Sequence, residues 1–128
     1  MVQKVILIDD DPDDHEIFSM AISEASSGIA CVLYDSAETA LEELSKQGTT
    51  PPDYIFLDLN MPRMNGMQFL EYVKKDDALA GIPVVIYSTS ILPSIKTQAL
   101  QYGASDFLAK PTSHLELIKS LKKLLSIE

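Results

Sequence analysis

Long apolar runs, cysteines and glycines are scarce in this 128-residue sequence, and each shortage excludes a class of protein. No apolar run approaches the roughly 18–20 residues of a membrane-spanning helix, and the short one near the N-terminus runs into an acidic cluster, unlike a secretory signal. The single cysteine, Cys31, rules out an internal disulfide and agrees with a reducing compartment. The five glycines form neither a dinucleotide fingerprint nor a P-loop. We therefore expect a cytoplasmic protein without membrane insertion.

Basic residues are also few, with ten lysines and arginines against nineteen acidic residues and a net charge of −9. This field repels a phosphate backbone, so we expect no direct nucleic-acid binding. The chain has the length of one ordinary domain, and its composition, 46% hydrophobic and 23% charged, is typical of a globular protein. Without repeats or linkers, residues 1–128 are predicted to form one domain.

Short apolar runs alternate with longer helical patterns. The predicted strands cover residues 5–8, 30–34, 54–57, 84–87 and 106–108. Most of these runs are continuously apolar, which favours strands buried on both faces of a parallel sheet. Helices are predicted to begin at Asp11, Ser36, Asn65, Pro93 and Thr112. Their core-facing stripes are predicted to include Ile17, Leu100 and Leu115. Strict alternation indicates an α/β fold with helices on both faces of the sheet.

Polar residues follow four of the predicted strands. Asp9 and Asp10 follow the first, Asp58 the third, Ser88 the fourth and Lys110 the fifth. Because the carboxyl ends of parallel strands form the ligand-binding edge of such sheets, we expect these side chains to converge there.

The acidic run has two further interpretations. Asp11, Asp13 and Asp14 can serve as helix cap and first-turn residues. A calcium loop fails, because Asp14 stands where the turn needs glycine and Met20 where a bidentate glutamate belongs.

Asp58 favours a metal site over helix capping alone. A third carboxylate near Asp9 and Asp10 creates strong repulsion that a hard divalent cation relieves. Magnesium suits such a site, and Lys110 and Ser88 could contact a phosphoryl group held there.

Several short motifs occur in a specific order along the chain. They are Ile8-Asp9-Asp10-Asp11-Pro12, Leu57-Asp58-Leu59-Asn60-Met61-Pro62, Met64-Asn65-Gly66, Pro83-Val84-Val85-Ile86-Tyr87-Ser88, Gly103-Ala104 and Lys110-Pro111. Together they resemble the receiver domain of two-component response regulators over residues 4–126. The resemblance implies a doubly wound, flavodoxin-like (βα)5 fold with five parallel strands in the order 2-1-3-4-5.

The resemblance also implies roles for the residues at the strand ends. Asp58 resembles the phosphoacceptor, and Asp9 and Asp10 resemble the acid pair that binds Mg²⁺, for which Mn²⁺ can substitute. Asn60 would add its backbone carbonyl to the ion. Ser88 matches the switch hydroxyl and Lys110 the lysine that contacts the phosphoryl group. The expected donor is a phosphohistidine on a sensor histidine kinase or a phosphotransfer protein, and the chain is expected to be a phosphoacceptor that assists its own phosphorylation and dephosphorylation, not an enzyme.

Signal output is expected at the surface formed by the fourth helix, fifth strand and fifth helix. Phe107 matches the aromatic residue that changes rotamer on activation. Ile91, Leu92, Ile95 and Tyr102 are predicted to form a contact surface for a downstream protein or for a phosphorylation-linked homodimer. The Pro12-Asp13-Asp14 opening also resembles small regulators partnered with bacterial phytochromes.

Three alternatives remain open. The positions of the first and last residues lead us to expect a single-domain regulator, whereas a receiver excised from a larger regulator or hybrid kinase is the nearest alternative. A small aspartate-nucleophile phosphatase of the haloacid dehalogenase type shares the chemistry, but its nucleophile follows the first strand. A flavodoxin-like carrier shares the topology, but Asp9, Asp10 and Asp11 would repel its phosphate.

Overall fold

The structure is a computed structural model that describes residues 2–46, 48–61, 64–89, 92–110 and 113–127. Strands and helices alternate along these ranges. In chain order they are β1 (Lys4–Ile8), α1 (Pro12–Ala25), β2 (Ala30–Tyr34), α2 (Ala37–Leu44), β3 (Tyr54–Leu57), α3 (Gly66–Lys75), β4 (Val84–Ser88), α4 (Pro93–Gln101), β5 (Asp106–Ala109) and α5 (His114–Leu124). Among the described residues, no helix has the length and apolar character that crossing a bilayer requires.

The strands form one parallel sheet in the order β2-β1-β3-β4-β5, which confirms the predicted doubly wound α/β fold. β1 lies between β2 and β3, so Ile8 is in register with both Tyr34 and Leu57. The predicted bounds of β2 and β3 are confirmed. β1 begins one residue earlier than predicted, and β4 and β5 each extend one residue further, to Ser88 and Ala109.

Alternate strand residues face two separate hydrophobic cores. The core on one face contains Val5, Leu7, Phe56, Val85 and Tyr87 from the strands, with Phe18, Ile22, Leu117 and Leu121 from α1 and α5. The core on the other face contains Ile6, Ile8, Ile55, Leu57 and Ile86, with Ala40, Phe69, Leu70 and Ala99 from α2, α3 and α4. This alternation follows from the two-residue period of a strand.

Three residues predicted to face the core are exposed instead. Ile17, Leu100 and Leu115 have 44%, 53% and 61% of their surface exposed, so these assignments were wrong. In α1 the buried residues are Phe18, Ala21, Ile22 and Ala25, and Ile17 lies at the edge of this stripe. Burial on both faces is confirmed for β1, β3 and β4 but is incomplete for β2 and β5, which form the open edges of the sheet.

Local capping explains where several helices begin. The side chain of Asp11 accepts a hydrogen bond from Asp13 N, and that of Ser36 accepts one from Thr39 N, as predicted. At α3, Asn65 forms a reciprocal capping box with Gln68. Pro93 is the first residue of α4. The predicted start of the fifth helix, Thr112, lies outside the described residues, and the observed N-cap of α5 is Ser113.

Gly66 allows the start of α3 to pack against the loop that follows β3. A Cβ atom at this position would lie 2.6 Å from both the Asp58 carbonyl oxygen and Leu59 Cα. Because both of these are backbone atoms, only the absence of a side chain permits the approach. The contact packs the N-terminus of α3 against the backbone of Asp58 and Leu59.

Candidate functional site

Backbone hydrogen bonds hold the site residues at the carboxyl edge of the sheet. Asp9 follows β1, Asp58 follows β3 and Lys110 follows β5, as the sequence predicted. Asp58 N donates to Ile8 O at 3.0 Å, and Lys110 N donates to Ser88 O at 2.8 Å. These bonds continue the parallel ladders by one residue, so the polar side chains begin where the rigid sheet ends.

Three carboxylates converge at this edge. Asp9, Asp10 and Asp58 each offer one oxygen, and these oxygens all lie within 4.8 Å of one another. Asp9 is fully buried and Asp58 is 6% exposed, whereas Asp10 is exposed. Asp9 Oδ1 accepts a hydrogen bond from Asp11 N at 3.0 Å, and Asp58 Oδ1 accepts one from Asn60 N at 3.1 Å. These bonds orient two of the carboxylates within the cluster.

Lys110 supplies the cation that faces this cluster. Its Nζ lies 2.8 Å from Asp9 Oδ2, 2.7 Å from Asp14 Oδ2 and 3.5 Å from Asp58 Oδ2. Nζ also lies 5.5 Å from the ring centroid of Tyr87, within cation–π range. Burial disfavours the charged lysine, but its hydrogen bond to Asp14, its close ion pair with Asp9 and the surrounding negative charge outweigh this effect and raise its pKa above the usual value.

Asp9 is the most deeply buried carboxylate of the cluster. Burial raises the pKa of Asp9 to about 6, although Lys110 and the Asp11 N–H favour the charged form. The neighbouring Asp58 charge adds to the increase. Asp9 Oδ2 is buried and, despite its short contact with Lys110 Nζ, receives no hydrogen bond of good geometry from any residue that the structure describes. The carboxylate therefore lacks full compensation for its charge.

The residues present fit a hard divalent cation. Mg²⁺ binds oxygen ligands at about 2.0–2.1 Å, so opposite ligands stand roughly 4.2 Å apart and adjacent ones nearer. The three carboxylates lie within 4.8 Å of one another and need to close only slightly to reach this spacing. A cation would also compensate the buried Asp9 Oδ2 and separate the like charges of Asp9 and Asp58. The acidic cluster is thus suited to a divalent metal.

Ser88 and Asn60 lie beside the cluster. Ser88 is 2% exposed and is the last residue of β4, where it is in register with Ala109 and adjacent to Lys110. Asn60 is exposed, and its N–H is bonded to Asp58. The metal-binding role of its backbone carbonyl stays a prediction.

The residues predicted to form the switch and the contact surface differ in exposure. Phe107 is half-buried on β5 and lies 5.2 Å below Lys96 Nζ of α4, measured to its ring centroid. Leu92 is 61% exposed, whereas Ile95 and Tyr102 are half-buried against the core. Ile91 lies outside the described residues.

Asp14 is a site residue that the sequence interpretation missed, because it was assigned only to the first helical turn. The signal was present in the helical spacing. Asp14 precedes Phe18, Ala21 and Ile22 by four, seven and eight residues, so it extends the buried stripe of α1 to the sheet edge.

Comparison with known proteins extends these observations. The phosphate regulon transcriptional regulatory protein PhoB of Pseudomonas aeruginosa is 31% identical over 126 residues, covering 98% of this chain and 53% of that protein. The chain thus spans about half the length of such curated relatives. Among solved structures, the phosphorylated cyanobacterial phytochrome response regulator RcpA superposes with a TM-score of 0.86 at 25% identity, covering 97% of this chain and 91% of that one.

The Mn²⁺-bound form of response regulator Rcp1 shares the fold, with a TM-score of 0.83 at 23% identity over 97% of this chain and 92% of that one. The family model for the response regulator receiver domain matches residues 5–122. With this match spanning nearly all of the 128 residues, the chain belongs to the response regulator receiver domain family of two-component signalling proteins.

Proposed function

We propose that Asp58 accepts a phosphoryl group from a phosphohistidine on a sensor histidine kinase or a phosphotransfer protein. The observation that carries this proposal is the position of the Asp58 carboxylate. It shares the metal-competent cluster with Asp9 and Asp10, and its Oδ2 lies 3.5 Å from Lys110 Nζ. A nucleophilic oxygen thus lies between a cation-binding group and a fixed ammonium, the arrangement that phosphoryl transfer needs.

The chain's own residues have separate roles in the transfer. Asn60 N–H holds Asp58 Oδ1 and thereby sets the orientation of the carboxylate. An Asp58 oxygen forms a bond to phosphorus while the bond from phosphorus to the imidazole nitrogen breaks, and the electron pair of that bond stays with the imidazole. Lys110 and the Ser88 hydroxyl stabilise the phosphoryl oxygens. The product is an acyl phosphate, a labile mixed anhydride that suits a resettable signal.

Asp9, Asp10, Asp58 and the Asn60 carbonyl are the proposed ligands of Mg²⁺. When bound, this ion supplies positive charge that neutralises the transferring phosphoryl oxygens. Oxygen-only ligands favour Mg²⁺, and Mn²⁺ is the expected substitute. The Mn²⁺-bound form of the related Rcp1 supports this choice.

For output, we propose a single-domain regulator that acts through protein contacts. The signal passes from Ser88 to Phe107 and to the α4–β5–α5 surface, where a downstream protein or a second phosphorylated copy binds. The net charge of −9 opposes direct contact with nucleic acid. A regulator of this kind works in the cytoplasm and does not turn over small phosphomonoesters.

Acetyl phosphate tests the acceptor chemistry. Incubation with this donor should add one phosphoryl group by intact-mass spectrometry, should require Mg²⁺ or Mn²⁺, and should fail in Asp58→Asn. Asp77→Asn is the matched control, because it removes an equal charge from an exposed position outside the carboxylate cluster. An unchanged mass of the wild-type protein with metal present, together with no beryllofluoride binding, would contradict the proposal.

A further inference from the structure

Asp14 makes the shortest of the three carboxylate contacts to Lys110 that the structure describes. Its Oδ2 lies 2.7 Å from Lys110 Nζ, and the two side chains are 20% and 11% exposed. Solvent therefore screens this ion pair less than it screens an ordinary surface pair. The contact joins the first turn of α1 to the residue that follows β5.

Asp14 differs from the other acids around Lys110 in its relation to the metal-competent cluster. Asp9 and Asp58 both belong to the cluster, whereas Asp14 does not. A divalent cation held by the cluster would compete with Lys110 for the negative charge of Asp9 and Asp58. Asp14 has no such competing ligand and keeps its contact with Lys110.

On the basis of the phosphorylation proposed for Asp58, we propose that Asp14 is a positioning residue that holds Lys110 at the site and weakens the attraction of this lysine for the incoming phosphoryl group. A lysine ammonium has three N–H donors, so Lys110 can contact Asp14 and a phosphoryl oxygen together. The negative charge of Asp14 nevertheless offsets part of the positive charge that the phosphoryl group meets.

Neutralising Asp14 removes both an anchor and a charge, and the second effect is the larger. In Asp14→Asn the amide oxygen can still accept a hydrogen bond from Lys110 Nζ, and the Tyr87 ring still lies beside that nitrogen, so most of the anchor is kept while the charge is lost. Asp14 Oδ2 and Asp58 Oδ2 are at most about 6 Å apart, because both contact the same lysine nitrogen. One charge at this distance, in a partly screened site, changes anion affinity on the order of tenfold.

Two ligands of opposite charge separate this role from a structural one. Asp14→Asn should bind Mg²⁺ a few-fold more weakly, because it removes negative charge near the cluster. At saturating Mg²⁺ it should bind beryllofluoride, an anionic phosphoryl analogue, about tenfold more tightly and react faster with acetyl phosphate. A residue that only maintained the fold would weaken both interactions when replaced.

Titration calorimetry with Mg²⁺ alone, and then with beryllofluoride at saturating Mg²⁺, measures both affinities. Asp13→Asn is the matched control, because this exposed neighbour in the same turn carries the same charge without contacting Lys110. Asp14→Glu should restore wild-type behaviour. Asp14→Ser provides a second neutral variant if Asp14→Asn does not fold, as judged by urea denaturation.

Opposite shifts in the two affinities, absent from Asp13→Asn, would support the inference. Equal affinities of Asp14→Asn and Asp13→Asn for both ligands would overturn it, as would weaker binding of both Mg²⁺ and beryllofluoride by Asp14→Asn. Failure of the wild-type protein itself to bind beryllofluoride would instead contradict the phosphorylation of Asp58. The two proposals can therefore fail separately.

Discussion

Replacing Asp9 with asparagine should stabilise the metal-free protein, even though it removes a proposed metal ligand. Asp9 is fully buried, and burial raises its pKa from 3.8 to about 6. Because one pKa unit corresponds to about 1.4 kcal/mol, ionised Asp9 costs the folded protein about 3 kcal/mol at pH 7 relative to the neutral acid. Asparagine is uncharged and similar in shape, but its amide accepts less well from Lys110. We therefore expect a net gain of roughly 1–2 kcal/mol and a melting temperature higher by roughly 3–8 °C.

The pH dependence of this effect has a definite sign. The pKa of Asp9 is 3.8 in the unfolded chain and about 6 in the folded protein, so between these values the folded state binds more protons. The stabilisation from protonated Asp9 is fully present below pH 3.8 and is lost as the pH rises through about 6. The stability advantage of Asp9→Asn over the wild type should therefore shrink between pH 7 and pH 5.

Urea denaturation followed by circular dichroism, with a chelator present, measures the difference at both pH values. Asp53→Asn is the control, because backbone N–H groups of Gln3 and Lys4 lower the pKa of this exposed carboxyl, and its removal should not stabilise the protein. Added Mg²⁺ should stabilise the wild type more than Asp9→Asn, by linkage to binding. Equal or lower stability of metal-free Asp9→Asn at pH 7 would refute the argument that uncompensated burial dominates at this residue.

Two further predictions concern the packing behind the site and the surface beside it. Gly66→Ala should cost roughly 1–3 kcal/mol of unfolding free energy and reduce beryllofluoride affinity, because its Cβ would meet backbone atoms of Asp58 and Leu59 at 2.6 Å. Gly81→Ala is the control, because a Cβ at that position meets no atom within 4 Å. Equal unfolding midpoints for the two variants would contradict the steric argument. Leu92→Asp should weaken self-association of the beryllofluoride-treated protein in sedimentation experiments. Met20→Asp is the control, because Met20 lies on α1 across the sheet and, like Leu92, is at least half exposed. Loss of association in both variants would argue against a specific contact at α4.

Much of the fold was predictable because its signals are local. Apolar runs marked the strands to within one residue, and the helix caps at Asp11, Ser36 and Asn65 depend on side chains that bond two or three residues along the chain. Exposure was harder to predict. Ile17 and Leu115 satisfy a helical apolar pattern, but which edge of that pattern faces solvent depends on how the helix is rotated against the sheet.

The sequence by itself determined the strand–helix alternation, and with it the placement of Asp9, Asp58, Ser88 and Lys110 at one edge of a parallel sheet. Periodicity and the topology of parallel strands are sufficient for that conclusion.

Only the tertiary structure decided how these charges are shared. It buries Asp9 while leaving Asp10 exposed, and it joins Asp14 to Lys110 across 96 positions of sequence. The physical reason is that helical spacing shows which face of α1 Asp14 lies on, whereas burial and ion pairing depend on how α1 packs against α5 and the sheet edge.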